Sequence, residues 1–335
     1  MAKDIKGEYL QFGGMAVPEG VMMRSPNYYS VACRAPSGQI VVKTEPLDKT
    51  FLGKLGFLKK PFLHGSLAML DTMALGMRAM HYASDVQLAA EAASSTEKAP
   101  SKAMTNAALL GAVVVSLGFG FFVFKVLPES TAQWIRPGSV DREGIGTNYL
   151  AELIKIVLFI GYLSLIRLYP PIMEVFRYHG AEHKAINVVE ASEQLTPANA
   201  LAQTRLHHRC GTNFAIVVLI IGLLIFPLIP RFGHGQVHDV LVVLMRLGVE
   251  ICILPLIAGI SYEVIRAAGK AKDQKWVNIL LKPGLATQLI TTAEPAQGHV
   301  EVAIASLESV MKAEETGETL NVELDLQFGK AAEAT

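Results

Sequence analysis

Apolar positions in this chain gather into a few long runs, separated by stretches in which charge recurs every few residues. Asn106 to Phe124 is nineteen residues without a charge and stops beside Lys125. At 1.5 Å per helical residue that length spans a hydrocarbon core of about 30 Å. Leu150 to Tyr169 is a second run, with Glu152 and Lys155 at its start and Arg167 near its end. Asn213 to Pro230 is a third, free of charge, and Val240 to Tyr262 is a fourth, carrying Arg246 and Glu250 four apart on one face. The pattern predicts four transmembrane helices. Intramembrane charges are costly and usually paired, and the second and fourth runs enter from one side. Glu152 and Lys155 are therefore expected to meet Arg246 and Glu250 in a polar cluster, serving either helix pairing or an ion path.

The flanks have other periods. Gly13 to Arg24 opens on a glycine pair and reads as a loop suited to close backbone approach. Tyr29 to Cys33 and Gln39 to Lys43 read as two strands around the turn Ala35-Pro36-Ser37-Gly38, a hairpin. Phe51 to Leu88 is rich in methionine, with a helical stripe at Leu63, Leu67, Leu70, Ala74 and Met77 broken by Asp71, Arg78 and Asp85. It predicts an amphipathic helix lying on the membrane surface or packing on the spans, followed by a linker. Near the end, Val300, Ala303, Ile304, Leu307, Val310 and Met311 recur at helical spacing. That helix is expected to pack on the N-terminal β element, with 330–335 disordered.

The expected fold class is a mainly α membrane protein: about four transmembrane helices plus amphipathic helices, a small N-terminal β element and a cytoplasmic C-terminal helix. The expected organisation is a β element over 1–50, an interfacial helix and linker over 51–105, and a first transmembrane pair over 106–169. A cytoplasmic His/Cys loop over 170–212, a second transmembrane pair over 213–262 and a cytoplasmic tail over 263–335 complete it.

Composition agrees with that class. Of 335 residues 51% are hydrophobic and 18% charged, with no net charge, which argues against a nucleic-acid binder. Cys33, Cys210 and Cys252 are odd in number and far apart, so reduced thiols are expected. The first residues carry no hydrophobic stretch of a secretory signal. Eleven basic residues near the spans lie on one side and only Arg136, Arg142 and Arg231 on the other. By the positive-inside rule both termini and the 170–212 connection are cytoplasmic.

Candidate chemistry concentrates in that connection. In Tyr178-His179-Gly180-Ala181-Glu182-His183-Lys184, a helix puts His179 and His183 on one face about 5–6 Å apart, a spacing that suits two ligands of one metal ion. Glu182 would stand beside that face. HxxEH is the reverse of the HExxH zinc-hydrolase motif, in which the carboxylate takes a proton from a water the metal activates. Downstream, His207-His208-Arg209-Cys210 offers further imidazole and thiolate donors, and four of the nine histidines fall between His179 and His208. The competing reading is a structural polar cluster, with Glu182 paired to Lys184, Arg205 or Arg209. Gly180 weakens the helix slightly. A second pair, His234 and His238, lies in a glycine-containing outer loop and reads as a solvated turn.

Gly13-Gly14 through Arg24, His179 through Lys184, Arg209-Cys210-Gly211-Thr212, Gly259 to Arg266 and Glu301-Val-Ala-Ile-Ala305 together resemble the YqhQ-like family of bacterial membrane proteins, over about Phe12 to Leu307. The resemblance implies a multi-pass protein of the bacterial inner membrane and a metal-dependent enzyme. The chain departs from the family pattern at Met15, Pro18 and His208, and the last leaves open which of two adjacent imidazoles points inward. The leading expectation is a zinc or other divalent transition metal held by His179, His183, His207 and Cys210, with Glu182 as general base of a hydrolase. His208, Glu263 and Glu19 are held in reserve as ligand or acid. Lys184, Arg205 and Arg209 would suit an anionic lipid, and a membrane-protein substrate fits as well. The principal alternative is a membrane scaffold or assembly factor clamped by a metal or polar cluster; a small transporter using Arg246 and Glu250 is a third. The sequence leaves oligomeric state open.

Overall fold

The computed structural model describes residues 12–47, 63–94, 111, 114–136, 145–229, 240–270, 275–319 and 321–324. It is mainly helical, with a small antiparallel sheet. Strands β1 (Gly13–Val17), β2 (Gly20–Arg24), β3 (Tyr28–Arg34) and β4 (Ile40–Pro46) form a meander, and β5 (Asn321–Leu324) adds to β4 from the far end of the chain. Gly13 to Arg24 is thus a hairpin rather than a loop, with Val17 paired to Gly20 across a two-residue turn. Glu19 holds a positive φ of 51° in that turn, a conformation costing a non-glycine residue roughly 1 kcal/mol or more.

Both faces of the sheet are covered, which explains why β2 reads Val-Met-Met without polar alternation. Val21, Met23, Ala32, Ile40 and Val42 pack against helix α4 (Pro170–Glu190) and helix α9 (Gln297–Thr316). Met22, Val31 and Cys33 turn the other way, onto Leu75, Ala79 and Ala83 of helix α1 (Leu63–Ser94). The C-terminal helix therefore packs on the β element as its apolar stripe requires. It ends at Gly317, whose φ of 72° supplies the left-handed cap. Helix α1 is one long element that packs on the sheet and on a span.

Among the described residues, four helices are long and apolar enough to cross a membrane: α2 (Val114–Ile135), α3 (Ile145–Ile166), Gly211–Leu228 and Leu244–Ile265. After the short α5 (Pro197–Ala202), the third comprises α6 (Gly211–Ile225) and a 3-10 turn; the fourth lies within α7 (Val240–Lys270). Their exposed side chains include Val115, Leu117, Val157, Leu224, Ile251 and Leu256, an apolar belt suited to lipid. The first span does not stop at Phe124. It continues through a π-helical turn, Phe122–Val126, so Lys125 and Glu129 lie inside it.

That shift corrects the expected charge cluster. Lys125 Nζ lies 2.6 Å from Glu250 and 2.9 Å from Glu129, while Arg246 bonds Glu250 at 3.1 Å and Glu129 at 3.4 Å. Arg246 also donates to Asn148. Glu152 and Lys155 pair with each other at 2.7 Å. Two cations and two carboxylates balance, a composition that locks α2 to α7. Lys125→Met leaves buried carboxylates short of a cation and is expected to cost about 3 kcal/mol or more, measured as thermal unfolding in detergent. The 234–238 loop, the linker beyond residue 94 and the last residues lie outside the described residues.

Candidate functional site

Helix α4 begins four residues after α3 ends, with Pro170 and Pro171 in its first turn, and runs through the HxxEH stretch without interruption. Gly180 stands mid-helix because a neighbouring backbone needs its small size. A Cβ there would overlap the Ala293 carbonyl oxygen. The close approach seats α4 against the segment that follows helix α8 (Lys275–Thr291). Gly180→Ala is expected to destabilise the fold by about 1–3 kcal/mol, the range of an overpacked core, as a lowered unfolding midpoint.

Three donors converge. His179, His183 and Cys210 each offer one ligand atom, and these atoms lie within 4.8 Å of one another. His179 Nε2 is 3.2 Å from Cys210 Sγ, and the two imidazole rings are 4.5 Å apart at their centroids. Bonds of about 2.1 Å to nitrogen and 2.3 Å to sulfur at a tetrahedral angle imply a separation of roughly 3.6 Å, so small adjustments suffice to share an ion. The second nitrogen of each ring is already committed: His179 Nδ1 donates to the Thr291 carbonyl at 2.9 Å and His183 Nδ1 to the Arg205 carbonyl at 2.6 Å. Carbonyls only accept, so Nδ1 of each ring carries a proton, and in the neutral form of the ring Nε2 is the atom left to coordinate. His183 is fully buried and its Nε2 has no hydrogen-bond partner. A buried unpartnered acceptor costs about 1–3 kcal/mol, and a nitrogen, nitrogen, sulfur set suits a soft or borderline divalent cation.

Glu182 stands beside this group, outside the set of mutually close donors. It is 4% exposed, and its Oε2 also has no hydrogen-bond partner. Burial pushes its carboxyl up to about 7, opposed by the neighbouring His179 and by the backbone of Gly14. A Cβ on Gly14 would stand 3.0 Å from the Glu182 Cδ, so the glycine of β1 is what lets strand and carboxylate meet. Burial holds the His183 imidazole below its usual range, partly offset by Cys210 and the Arg205 carbonyl.

The other expected ligands fall elsewhere. His207 is buried, its ring centroid 5.5 Å from that of His183, but its Nε2 lies 3.1 Å from Glu190. It braces rather than joins the group. His208 is exposed, which settles which of the adjacent imidazoles points inward. Glu19 accepts from the Tyr178 hydroxyl at 3.3 Å, and neither Glu19 nor Glu263 belongs to the group of close donors. The cations proposed for an anionic substrate are internally engaged. Lys184 donates to the Leu201 and Gln203 carbonyls and pairs with Glu294 at 3.0 Å. Arg205 donates to Thr292, and Arg209 pairs with Glu190.

Sequence reasoning missed the residues that shape the loop. Gln288 bonds both the amide and the carbonyl of His207, and Asn187 donates to the Thr204 and Leu206 carbonyls. Asn213 donates to the His208 carbonyl at 2.7 Å. None belongs to a motif; the signal that could have marked them is an amide inside an otherwise apolar stretch, as at Asn213 and Gln288.

A multi-span helical membrane protein with an α/β head, carrying an N, N, S donor cluster where head meets spans, is the class this geometry defines. More narrowly, the chain belongs to the family described as Protein of unknown function (DUF1385), whose model matches residues 60–313. It is 33% identical over 313 residues to a protein of Bacillus subtilis (strain 168) described as Uncharacterized protein YqhQ, covering 92% of this chain and 94% of that one. No solved structure matches. The family expected from the motifs is therefore correct, and neither description assigns the metal-dependent activity that the resemblance implied.

Proposed function

We propose that this chain is a metal-dependent hydrolase of the bacterial inner membrane, with a zinc-type cation held by His179, His183 and Cys210 on the cytoplasmic side. The observation that carries this reading is the convergence of three donors within 4.8 Å, with the remaining nitrogen of both imidazoles fixed on backbone carbonyls. The excess of basic residues on the side of the 170–212 connection supports the orientation.

A divalent cation there would supply Lewis acidity and make a water nucleophilic near neutral pH. Three protein donors leave one position of a tetrahedral set for that chemistry, as catalytic sites do. Thr291 and Arg205, through their carbonyls, orient the two imidazoles. Glu182, buried against Gly14 of β1, would take the proton of an attacking water and return it to the leaving group. Deep burial and a thiolate donor also suit a second reading, a structural clamp in a scaffold. The two separate on Glu182→Gln: products that disappear from membranes of cells carrying this variant, with metal retained, support the hydrolase, and an unchanged membrane composition supports the clamp.

A further inference from the structure

The donor group adjoins the end of a membrane-length helix. Cys210 is the residue that caps α6, its Sγ accepting from the Thr212 amide, and the membrane-length run begins at Gly211. His179 is held by the carbonyl of Thr291, the last residue of α8. Two residues before it, Leu289 is an exposed apolar side chain. Arg167 follows the end of α3 directly and donates to the carbonyls of Leu289 and Ile290, tying that corner to the end of a span. Around Arg167, Leu165, Leu168 and Tyr169 are 66%, 77% and 62% exposed. The apolar belt of α3 thus continues past Ile166 to Tyr169, and Arg167 ties it to the end of α8, whose last residue holds His179. Within the donor group, His179 is partly exposed.

Resting on the hydrolase reading, we propose that the substrate enters sideways from the bilayer, and that it is the acyl ester of a glycerolipid. Three observations select this bond. The ester linkages of a glycerolipid lie at the boundary between chains and headgroups, and Cys210 caps a helix of membrane length at its first residue, Gly211. A peptide bond within a spanning helix is tied up in intrahelical hydrogen bonds and must first be unwound. The cations beside the site, Lys184, Arg205 and Arg209, are each bound to partners within the chain, so a neutral carbonyl suits the site better than a bare phosphate. In the reaction the water oxygen bonds to the acyl carbon, its proton passes to Glu182, and the acyl C–O bond breaks. The proton then moves to the departing glycerol oxygen, giving a free fatty acid and a lysolipid with no other reactant.

The test uses the full chain, loaded with zinc and reconstituted in vesicles of phosphatidylethanolamine and phosphatidylglycerol. A fluorophore at Leu289→Cys, read in a Cys210-retaining chain with Cys252→Ser, is expected to be quenched several-fold more by brominated acyl chains than by aqueous iodide. Mass spectrometry is expected to show lysolipid accumulating with wild type and falling at least tenfold with Glu182→Gln. Quenching by iodide instead, or intact lipids around a metal-loaded wild type, overturns the lipid assignment and leaves the metal reading standing. New peptide N-termini in the membrane fraction with intact lipids overturn it in favour of a protein substrate. A wild type that retains no metal defeats the hydrolase reading itself.

Discussion

His183→Ala is expected to lower affinity for a divalent transition metal by on the order of 1,000-fold or more, beyond the 10–100-fold typical of residues that only orient ligands. The ring is wholly enclosed, its Nδ1 is spent on the Arg205 carbonyl, and its Nε2 is the unpartnered atom facing Cys210. Ala removes both the donor and the tie to the 203–210 loop, so some loss of folding stability accompanies the loss of metal. His207→Ala provides the contrast. Its Nε2 engages Glu190 rather than the donor group, so it is expected to change affinity by no more than about 100-fold. Metal content after dialysis against graded chelator measures both. Equal losses in the two variants would return His207 to the ligand set.

Glu182→Gln is expected to act in opposite directions on stability and on turnover. In the metal-free protein the Glu182 carboxyl titrates near 7 rather than at its ordinary 4.5 because burial disfavours the charge. A folded value above the unfolded one means the fold binds the proton more tightly. Stability is therefore complete below pH 4.5, declines as pH rises, and levels off above 7. At about 1.4 kcal/mol per unit, the difference of roughly 2.5 units amounts to about 3 kcal/mol. Gln keeps the shape without the charge, so the metal-free variant should unfold at a higher temperature than wild type at pH 8.5 and at nearly the same one at pH 4.5. Removal of a general base lowers rate by about 10²–10⁴-fold, so turnover should fall while metal content stays. Identical pH profiles for the two proteins would show that the carboxyl is not held protonated by burial.

Much of the fold was legible because the chain announces it by period and length. The runs after Leu150, Asn213 and Val240 became spans, and the stripe from Val300 to Met311 became the helix covering the sheet. The first span was ended too early because Lys125 looked like its boundary, and Glu129 lies beyond it. Their charge is neutralised by Arg246 and Glu250 from more than a hundred residues away, a cancellation no local window contains. Gly13 to Arg24 was misread for a related reason: a strand buried on both faces shows no alternation, and its glycines suggested a turn. Gly14 serves close approach all the same, to Glu182.

In the donor group, the i, i+4 spacing of His179 and His183 is local and was readable. Cys210 was readable as a candidate because it follows His207 and His208 closely and offers a sulfur donor beside their imidazoles. Which imidazole of 207–208 turns inward depends on Gln288, which fixes the backbone of His207 from another helix, and His207 is then drawn to Glu190. Helix α8 itself went unremarked, since Pro283 and Gly284 broke the apolar pattern. Gly284 packs against Asn213, and the helix carries the Thr291 carbonyl that orients His179.

Cobalt substitution tests the shared-ion claim most directly. Purified protein loaded with Co²⁺ is expected to bind one ion per chain and to show the intense visible bands of a tetrahedral site with a near-ultraviolet sulfur-to-cobalt band. Cys210→Ser should abolish the sulfur band. A protein that binds no cobalt, or whose spectrum is the same with and without the Cys210 thiol, would contradict the convergence of His179, His183 and Cys210 on one cation.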